Sequence, residues 1–244
     1  MLRFKKLMLT VLAFTLVFIT GCSRELLDEK GYHIETGLDY VELSRTEQEG
    51  REVKNLILII GDGMGFNHIE SAAIALLSDD EQFDLHKMPY QSEVITLNYH
   101  GEITDSAAGG TAFSTGFKTT NGSIGRDSYG NDLMNIMEFA KEKGYATGIV
   151  TTESLSDATG AAFSAHIGSR YSDAIPLQQV NSGIDIMIGG GRVDFEHHKD
   201  TIQEKGYEYI NNMDDFRSSK ADRFFAILTT THFMNNANTP SLAE

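Results

Sequence analysis

The most constraining feature of the sequence is a continuous apolar run, residues 55–60 (NLILII), which leads into the glycine-rich segment GDGMG at residues 61–65. A half-buried strand alternates apolar and polar residues, whereas a strand covered on both faces of a parallel sheet is apolar throughout. This run therefore predicts a buried strand that ends in a sharp, glycine-containing turn.

Further strand-like and helical segments alternate along the rest of the chain. Such alternation favours an α/β fold, with a mainly parallel central sheet and helices on both faces. The other predicted strands are residues 93–99, 145–150, 185–188 and 224–228, and the predicted helices lie near 67–77, after 105, at 133–143, 161–167, 175–180 and 202–205.

The segment ITDSAAGGTAFSTGFKTTNGSIG, residues 103–125, has small or hydroxylated residues where an ordinary amphipathic helix has large apolar ones. Small side chains let another group approach the backbone closely, and Asp105 or Ser106 is suited to cap the helix that follows. A helix N-terminus favours anions, so the Ser106 hydroxyl is a candidate nucleophile for an electrophilic substrate. A plain capped helix explains Asp-Ser-Ala-Ala at least as well when that tetrapeptide is taken alone.

Candidate metal and phosphate ligands follow two of the predicted strands. Asp62 lies between glycines that leave room for an ion, and Asp157, Thr159 and Arg170 lie within TTESLSDATGAAFSAHIGSR, residues 151–170. Ligands of parallel sheets sit outside the carboxyl ends of the strands, which is where these residues are expected. The guanidinium of an arginine suits bidentate contact with a phosphoryl group. Turn or cap aspartates and a solvated arginine are the alternative interpretations.

Together, these three segments resemble the motifs of the alkaline phosphatases, over a stretch from about Val53 to Leu242. The resemblance implies a three-layer α/β sandwich and the hydrolysis of small phosphomonoesters. In that family the serine at the Ser106 position is phosphorylated during turnover, and the arginine at the Arg170 position clamps two phosphate oxygens. Gly109 and Gly110 depart from the family pattern, in which a serine-alanine pair is expected.

The resemblance also implies Zn²⁺ and Mg²⁺ as cofactors. Asp62 matches the aspartate that bridges a zinc and a magnesium ion, Asp157 and Thr159 match ligands of magnesium, and the oxygen of Ser106 faces zinc. A carboxylate and a hydroxyl suit a small, hard cation that retains water molecules. Gly160 stands where the family has proline.

Other residues that suggest chemistry are assigned structural or surface roles. The resemblance makes His166 a structural residue, and it makes Gly189-Gly190-Gly191-Arg192 a structural turn, since the segment lacks the spacing and lysine of a P-loop. The spacing of His197, His198 and His232 matches no metal site, so these histidines are predicted to lie at the surface.

In the alkaline phosphatases most zinc ligands follow a Pro-Ser-Leu-Ala-Glu segment, and this sequence stops at that segment, at Glu244. We therefore expect a fold truncated at the C-terminus, incomplete zinc sites, exposed sheet edges and little phosphatase activity from these residues alone. Two alternatives remain open, namely a related metal-dependent phosphodiesterase or sulfatase, and a non-catalytic remnant. The threonine or modified cysteine usual in the first of these classes is absent, since the nucleophile position holds Ser106.

The N-terminal residues predict export and lipid attachment. Residues 1–21 combine basic residues with an apolar run, as a signal peptide does, and Ile19-Thr20-Gly21-Cys22 resembles a bacterial lipobox. Acylation of Cys22 would anchor the protein to a membrane, with residues 22–52 as a polar tether and residues 53–244 as the alkaline-phosphatase-like domain. A plain signal peptide or a retained transmembrane helix are the alternatives.

The formal net charge of −15 argues against nucleic acid as a partner, because no cluster of lysine and arginine offsets it. The expected partners are phosphomonoester substrates and a membrane, and the sequence leaves a homodimer open. Cys22 is the only cysteine, so the sequence has no internal disulfide.

Overall fold

The computed structural model describes residues 26–27, 33–34, 54–78 and 81–230. The chain divides into two units, Met1–Glu52 and Val53–Glu244. Within the first unit, strands β1 (Leu26–Leu27) and β2 (His33–Ile34) pair antiparallel. The predicted signal peptide and Cys22 lie outside the described residues.

The second unit alternates helices and strands. Its elements are α1 (Phe66–Leu76), α2 (Ser106–Thr115), α3 (Ile136–Glu142), β3 (Gly148–Ser154), α4 (Ala158–Ala161), α5 (Ile175–Asn181), β4 (Ile186–Gly190), α6 (Arg192–Phe195), α7 (Lys199–Glu204), β5 (Glu208–Ile210), α8 (Met213–Ser218) and β6 (Phe224–Ile227), with 3₁₀ turns at Asp84–Lys87 and Glu196–His198. Across the described ranges, no helix combines the length and apolar character needed to cross a membrane.

The four strands β3, β4, β6 and β5 lie side by side in that order, and every neighbouring pair is parallel. Three consecutive residues of β6, namely Phe225, Ala226 and Ile227, are fully buried. Because successive side chains of a strand point to opposite faces, both faces of β6 are covered. The predicted α/β fold with a parallel sheet is confirmed, and β4 and β6 lie where the sequence predicts them.

The hydrophobic core joins this sheet to the helices around it. Fully buried core side chains include Ile124, Leu155, Met187, Phe195 and Phe225. The described sheet is therefore held to the connecting segments by one continuous apolar cluster, which fixes where the carboxyl ends of its strands point.

Local sequence signals explain several helix boundaries. Asn135 and Glu138 form a capping box at the start of α3, since each side chain accepts a hydrogen bond from the other residue's backbone N–H. The same helix ends before Gly144, whose φ of +80° lies in the left-handed region that glycine tolerates. The predicted helix and its end before Gly144 are confirmed, whereas its start lies at Ile136 and not at residue 133.

The apolar run at residues 55–60 does not form the buried strand that the sequence predicts. Residues 54–60 carry no ladder hydrogen bonds with described residues, and Ile57 and Ile59 are 83% and 84% exposed. A strand needs a neighbour to satisfy its backbone and cover its faces, and no described strand lies beside this run. Only Ile60, partly buried, packs against the core.

Two other predicted elements also differ. The predicted strand 93–99 is reduced to one bridge between Leu97 and Ile103. The predicted helix 161–167 does not form, and α4 begins and ends earlier. The chain is not helical at Ile167 because the backbone of Ile167 exchanges hydrogen bonds of 2.9 and 2.8 Å with that of Ile124.

The predicted strand 145–150 forms, but later in the sequence, as β3. Strand β5 and helix α8 were not predicted; β5 has only three residues and pairs with β6 alone among the described strands.

Candidate active site

Ser106 is the first residue of α2, and the residue before it caps this helix. Asp105 has an extended backbone, and its Oδ1 accepts a hydrogen bond of 2.9 Å from the backbone N–H of Ala108. Because Asp105 performs the capping, the hydroxyl of Ser106 is left without a hydrogen-bond partner among the described residues, and the residue is half-buried. A half-buried hydroxyl at a helix N-terminus is placed to meet an anionic substrate.

Arg170 lies beside this helix start. Its Nη1 is 3.5 Å from Oδ2 of Asp105, and its Nη2 is 3.2 Å from Oδ1 of Asp157. The arginine side chain is 19% exposed, so the guanidinium is largely held within the site while part of it remains accessible. Two carboxylates, one of them on the residue that precedes Ser106, thus fix the orientation of this guanidinium.

Asp62 and Thr159 form a second contact, across a large separation in sequence. The hydroxyl of Thr159 donates a 3.2 Å hydrogen bond to Oδ2 of Asp62. Thr159 belongs to α4, and Asp157 is the N-cap of the same helix. The two contacts are therefore linked through the first turn of α4, which follows β3.

Close packing of α4 against α2 sets the spacing between these groups. A Cβ added at Gly110 of α2 would lie 2.9 Å from Cβ of Ala162 and 3.5 Å from Cα of Thr159. Only a residue without a side chain allows this approach, so Gly110 brings the backbone of Thr159 close to the helix that Ser106 begins.

The donor set of the site fits magnesium better than zinc. Asp62, Asp157 and Thr159 offer carboxylate and hydroxyl oxygens, the ligands that Mg²⁺ prefers. The described part of the chain contains no group of three or more His, Cys, Asp or Glu side chains arranged to hold a metal ion. Among the described residues, the oxygens of Asp62 and Thr159, which lie 3.2 Å apart, are of the kind that magnesium prefers, and they do not complete a site for either ion.

Comparison with known proteins identifies the family. The model of the alkaline phosphatase family, described as "Alkaline phosphatase", matches residues 53–224. The chain belongs to the alkaline phosphatase family. Alkaline phosphatase 3 of Bacillus subtilis is 35% identical over 188 residues, which are 69% of this chain and 40% of that protein. The Escherichia coli alkaline phosphatase is 30% identical over 214 residues, 71% of this chain and 45% of that protein.

Solved alkaline phosphatases share the fold. The cold-active enzyme of the psychrophile Shewanella sp. superposes with a TM-score of 0.69 at 29% identity, covering 73% of this chain and 48% of that one. A mutant of TAB5 alkaline phosphatase with Mg bound in its M3 site gives a TM-score of 0.61 at 25% identity, covering 68% and 50%. The chain thus spans about half the length, or less, of these alkaline phosphatases.

All the site residues predicted in the domain by the alkaline phosphatase motifs lie in one region. The structure brings Asp62 to Thr159, and it brings Arg170 to Asp157 and to the residue preceding Ser106. Cys22 lies outside the described residues.

Several other residues take structural places in this alkaline phosphatase chain. His166 bonds through Nδ1 to the carbonyl of Gly125 and through Nε2 to Glu138, both at 2.8 Å. Burial lowers the pKa of His166, but these hydrogen bonds and the charge of Glu138 outweigh it, so the pKa is raised. Gly191 has a φ of +95°, and a side chain there would collide with Ser154.

The remaining motif residues are also accounted for. Arg192 donates a 2.7 Å hydrogen bond to the carbonyl of Asn211, which agrees with a structural turn. His197 is exposed and His198 half-buried, while His232 lies outside the described residues.

Sequence reasoning missed two contributors to the site. Asp105 was considered only as a cap, although it also contacts Arg170. Gly122 has no predicted role in the site, although its backbone N–H and C=O bond to Asp105 and Arg170, respectively. The Asn-Gly pair at 121–122 is a local signal for a turn, but only the folded chain shows what the turn contacts.

Proposed function

We propose that phosphate monoesters are hydrolysed at this site through a phosphoserine formed at Ser106, with little turnover expected from residues 1–244 alone. The observation that carries the proposal is that the guanidinium of Arg170 lies 3.5 Å from the carboxylate of Asp105, the residue directly before Ser106. Membership of the alkaline phosphatase family supports the same reaction class. Since the chain spans only part of its relatives, the activity of the whole protein belongs to this proposal.

In the proposed reaction, Oγ of Ser106 attacks phosphorus. The new Oγ–P bond forms as the bond between phosphorus and the ester oxygen breaks, and the leaving oxygen takes up the proton that the serine loses, to become an alcohol. Water then attacks the phosphoserine, which releases inorganic phosphate and restores the serine. Arg170 and the N-terminus of α2 hold the phosphoryl oxygens and offset their negative charge as it redistributes.

Zn²⁺ and Mg²⁺ are the proposed cofactors. Asp62, Asp157 and Thr159 would hold magnesium, since their oxygens suit that ion. Metal ions, when bound, supply positive charge that favours a deprotonated serine. Since the described residues contain no group of three or more His, Cys, Asp or Glu side chains arranged to hold a metal ion, we expect little turnover from these 244 residues alone.

The test is an assay of p-nitrophenyl phosphate hydrolysis, with zinc and magnesium, by the full gene product. Ser106→Ala should lower turnover by at least about a thousandfold, because the nucleophile is lost. Ser218→Ala, an exposed serine of α8, is the matched control and should leave turnover unchanged. Mass spectrometry of acid-quenched enzyme should show one added phosphoryl group on the peptide containing Ser106. Full turnover by the Ser106→Ala variant would refute the proposal.

We also propose that the protein is exported and lipid-anchored through Cys22. The lipobox-like sequence at residues 19–22 supports this. Two or three acyl chains anchor a protein stably, whereas one binds only marginally. Expression in a bacterial host with labelled palmitate should label the protein and place it in the membrane fraction, and Cys22→Ala should abolish both. Label retained by Cys22→Ala would contradict the anchor.

A further inference from the structure

The side chain of Asn121 holds the backbone that leads into Ser106. Its Oδ1 accepts a 3.1 Å hydrogen bond from the N–H of Asp105, and its Nδ2 donates 2.9 Å to the carbonyl of Ile103. These two bonds span the residues immediately before α2. A single side chain, fifteen or more positions away in sequence, therefore fixes the entry to the helix that begins with the nucleophile.

Gly122, the residue after Asn121, connects Asp105 to Arg170. The backbone N–H of Gly122 donates 2.9 Å to Oδ2 of Asp105, and its carbonyl accepts 2.8 Å from the N–H of Arg170. The guanidinium of Arg170 approaches the same Oδ2 atom, at 3.5 Å. These three contacts form a closed ring of Asp105, Gly122 and Arg170.

The backbone conformation of Gly122 allows it to bond to Asp105 and Arg170 at once. Gly122 has a φ of +85°, in the left-handed region that residues with a side chain adopt only at a cost. That conformation lets the peptide group before Gly122 point its N–H at Asp105 while the peptide group after it points its carbonyl at Arg170. The start of α2 and the phosphate-binding arginine are therefore placed by one dipeptide, 121–122.

We propose that Asn121 is a positioning residue, which sets the relative placement of Ser106 and Arg170. The inference rests on the proposed function, since it concerns how the site receives a phosphoryl group. Asn121 acts through Asp105 and Gly122 and contributes no catalytic group of its own. Because phosphoryl transfer depends on precise placement of the nucleophile and the groups that bind phosphate, a small shift between Ser106 and Arg170 weakens phosphate binding.

The experiment uses Asn121→Ala in the full chain, with Asn181→Ala as the matched control. Asn181 also donates from Nδ2 to a backbone carbonyl, that of Leu177 at 2.7 Å, but on α5. Two measurements are made: hydrogen exchange of the Asp105 and Arg170 amides, and calorimetric affinity for inorganic phosphate. Thermal midpoints of both variants show whether either change acts through general destabilisation.

Asn121→Ala should speed the exchange of both amides and weaken phosphate binding about fivefold, as loss of one to two modest hydrogen bonds predicts. Its thermal midpoint should match that of Asn181→Ala, which should keep the phosphate affinity of the unaltered chain. Unchanged exchange at Arg170, or unchanged phosphate affinity despite faster exchange, would overturn the positioning role. If the unaltered chain binds no phosphate, the proposed function fails, and the exchange rates still decide whether Asn121 holds Asp105 and Arg170 together.

Discussion

The carboxylate of Asp62 and the hydroxyl of Thr159 lie 3.2 Å apart, although 97 positions separate them in the sequence. Asp62 follows the exposed run at residues 54–60, whereas Thr159 lies in α4, and the fold alone brings them together. Under the proposed function, these two oxygens would bind the same small, hard cation.

This pair predicts how the chain binds magnesium. Asp62→Asn should weaken Mg²⁺ affinity at least about tenfold, because it removes a charged ligand, and Thr159→Val should weaken it less. Thr115→Val is the matched control, since Thr115 ends α2 far from Ser106, and its hydroxyl donates to the carbonyl of Thr111 and accepts from the N–H of Phe117. Calorimetric titration with magnesium measures all three. Equal affinities for Asp62→Asn and the control would exclude Asp62 as a ligand.

Adjacent glycines of α2 should respond in opposite directions to alanine. A Cβ at Gly110 would meet Cβ of Ala162 at 2.9 Å, so Gly110→Ala should destabilise the fold by about 1–3 kcal/mol through overpacking. A Cβ at Gly109 meets nothing closer than 3.7 Å, so Gly109→Ala should stabilise it by about 0.5–1 kcal/mol through helix propensity. Urea unfolding measures both, and the same sign for both would contradict the close packing of α2 on α4.

Two ion pairs of nearly equal length should contribute different amounts to the free energy of unfolding because their exposure differs. Asp185 lies 2.8 Å from Lys141 and is 15% exposed, whereas Asp84 lies 2.9 Å from Lys87 and is 93% exposed. Asp185 also accepts from the N–H of Thr147. Asp185→Asn should cost about 2 kcal/mol, since it breaks charge-assisted bonds, while Asp84→Asn should cost under about 0.5 kcal/mol. Comparable losses of unfolding free energy for Asp185→Asn and Asp84→Asn would show that burial does not determine how much these pairs stabilise the fold.

The same aspartate predicts an acid limit. Burial raises the pKa of Asp185, but the bonds from Lys141 and Thr147 and the charges of Lys141 and Arg223 outweigh it, so the pKa is lowered. A carboxyl with a lowered pKa contributes stability that is complete above its unfolded pKa of about 3.9 and is lost as pH falls through its folded pKa. The stability difference between the unaltered chain and Asp185→Asn should therefore shrink below about pH 4. A difference that grows on acidification would reverse this assignment.

The pair of His166 and Glu138 predicts the opposite pH dependence. The raised pKa of His166 means that the folded chain binds its proton more tightly than the unfolded chain does. The contribution of charged His166 to stability is complete below the pKa of the unfolded histidine, about 6.5, and is lost as pH rises through the pKa of His166 in the folded chain. Glu138→Gln keeps an acceptor and removes the charge, so it should destabilise more at about pH 6 than at about pH 9.

Urea unfolding at both pH values tests this, with Glu70→Gln, an exposed residue of α1, as the control. The partly exposed pair should contribute under about 1 kcal/mol. An equal loss at both pH values would show that His166 is not charged in the folded chain at the lower one.

Local chemistry in the sequence determined a large part of the architecture. Apolar spacing and apolar runs predicted α3, β4 and β6, because these signals act within a few positions. The candidate residues Asp62, Ser106, Asp157, Thr159 and Arg170 were predicted from sequence, through motifs that keep fixed local spacing, and their catalytic and metal-binding roles stay predictions. The strand expected at 55–60 failed because an apolar run specifies a strand only where neighbours exist to pair with it.

The tertiary structure alone decided how these residues meet. Gly110 lies in an ordinary helix, and only the approach of Ala162 explains why a side chain is excluded there. Likewise, the sequence predicts Asp105 only as a cap, and only the folded structure shows that its second oxygen, Oδ2, faces Arg170 and Gly122. Such contacts join residues far apart in sequence, whose distance depends on packing of the whole core and not on local propensity, so sequence patterns do not encode them.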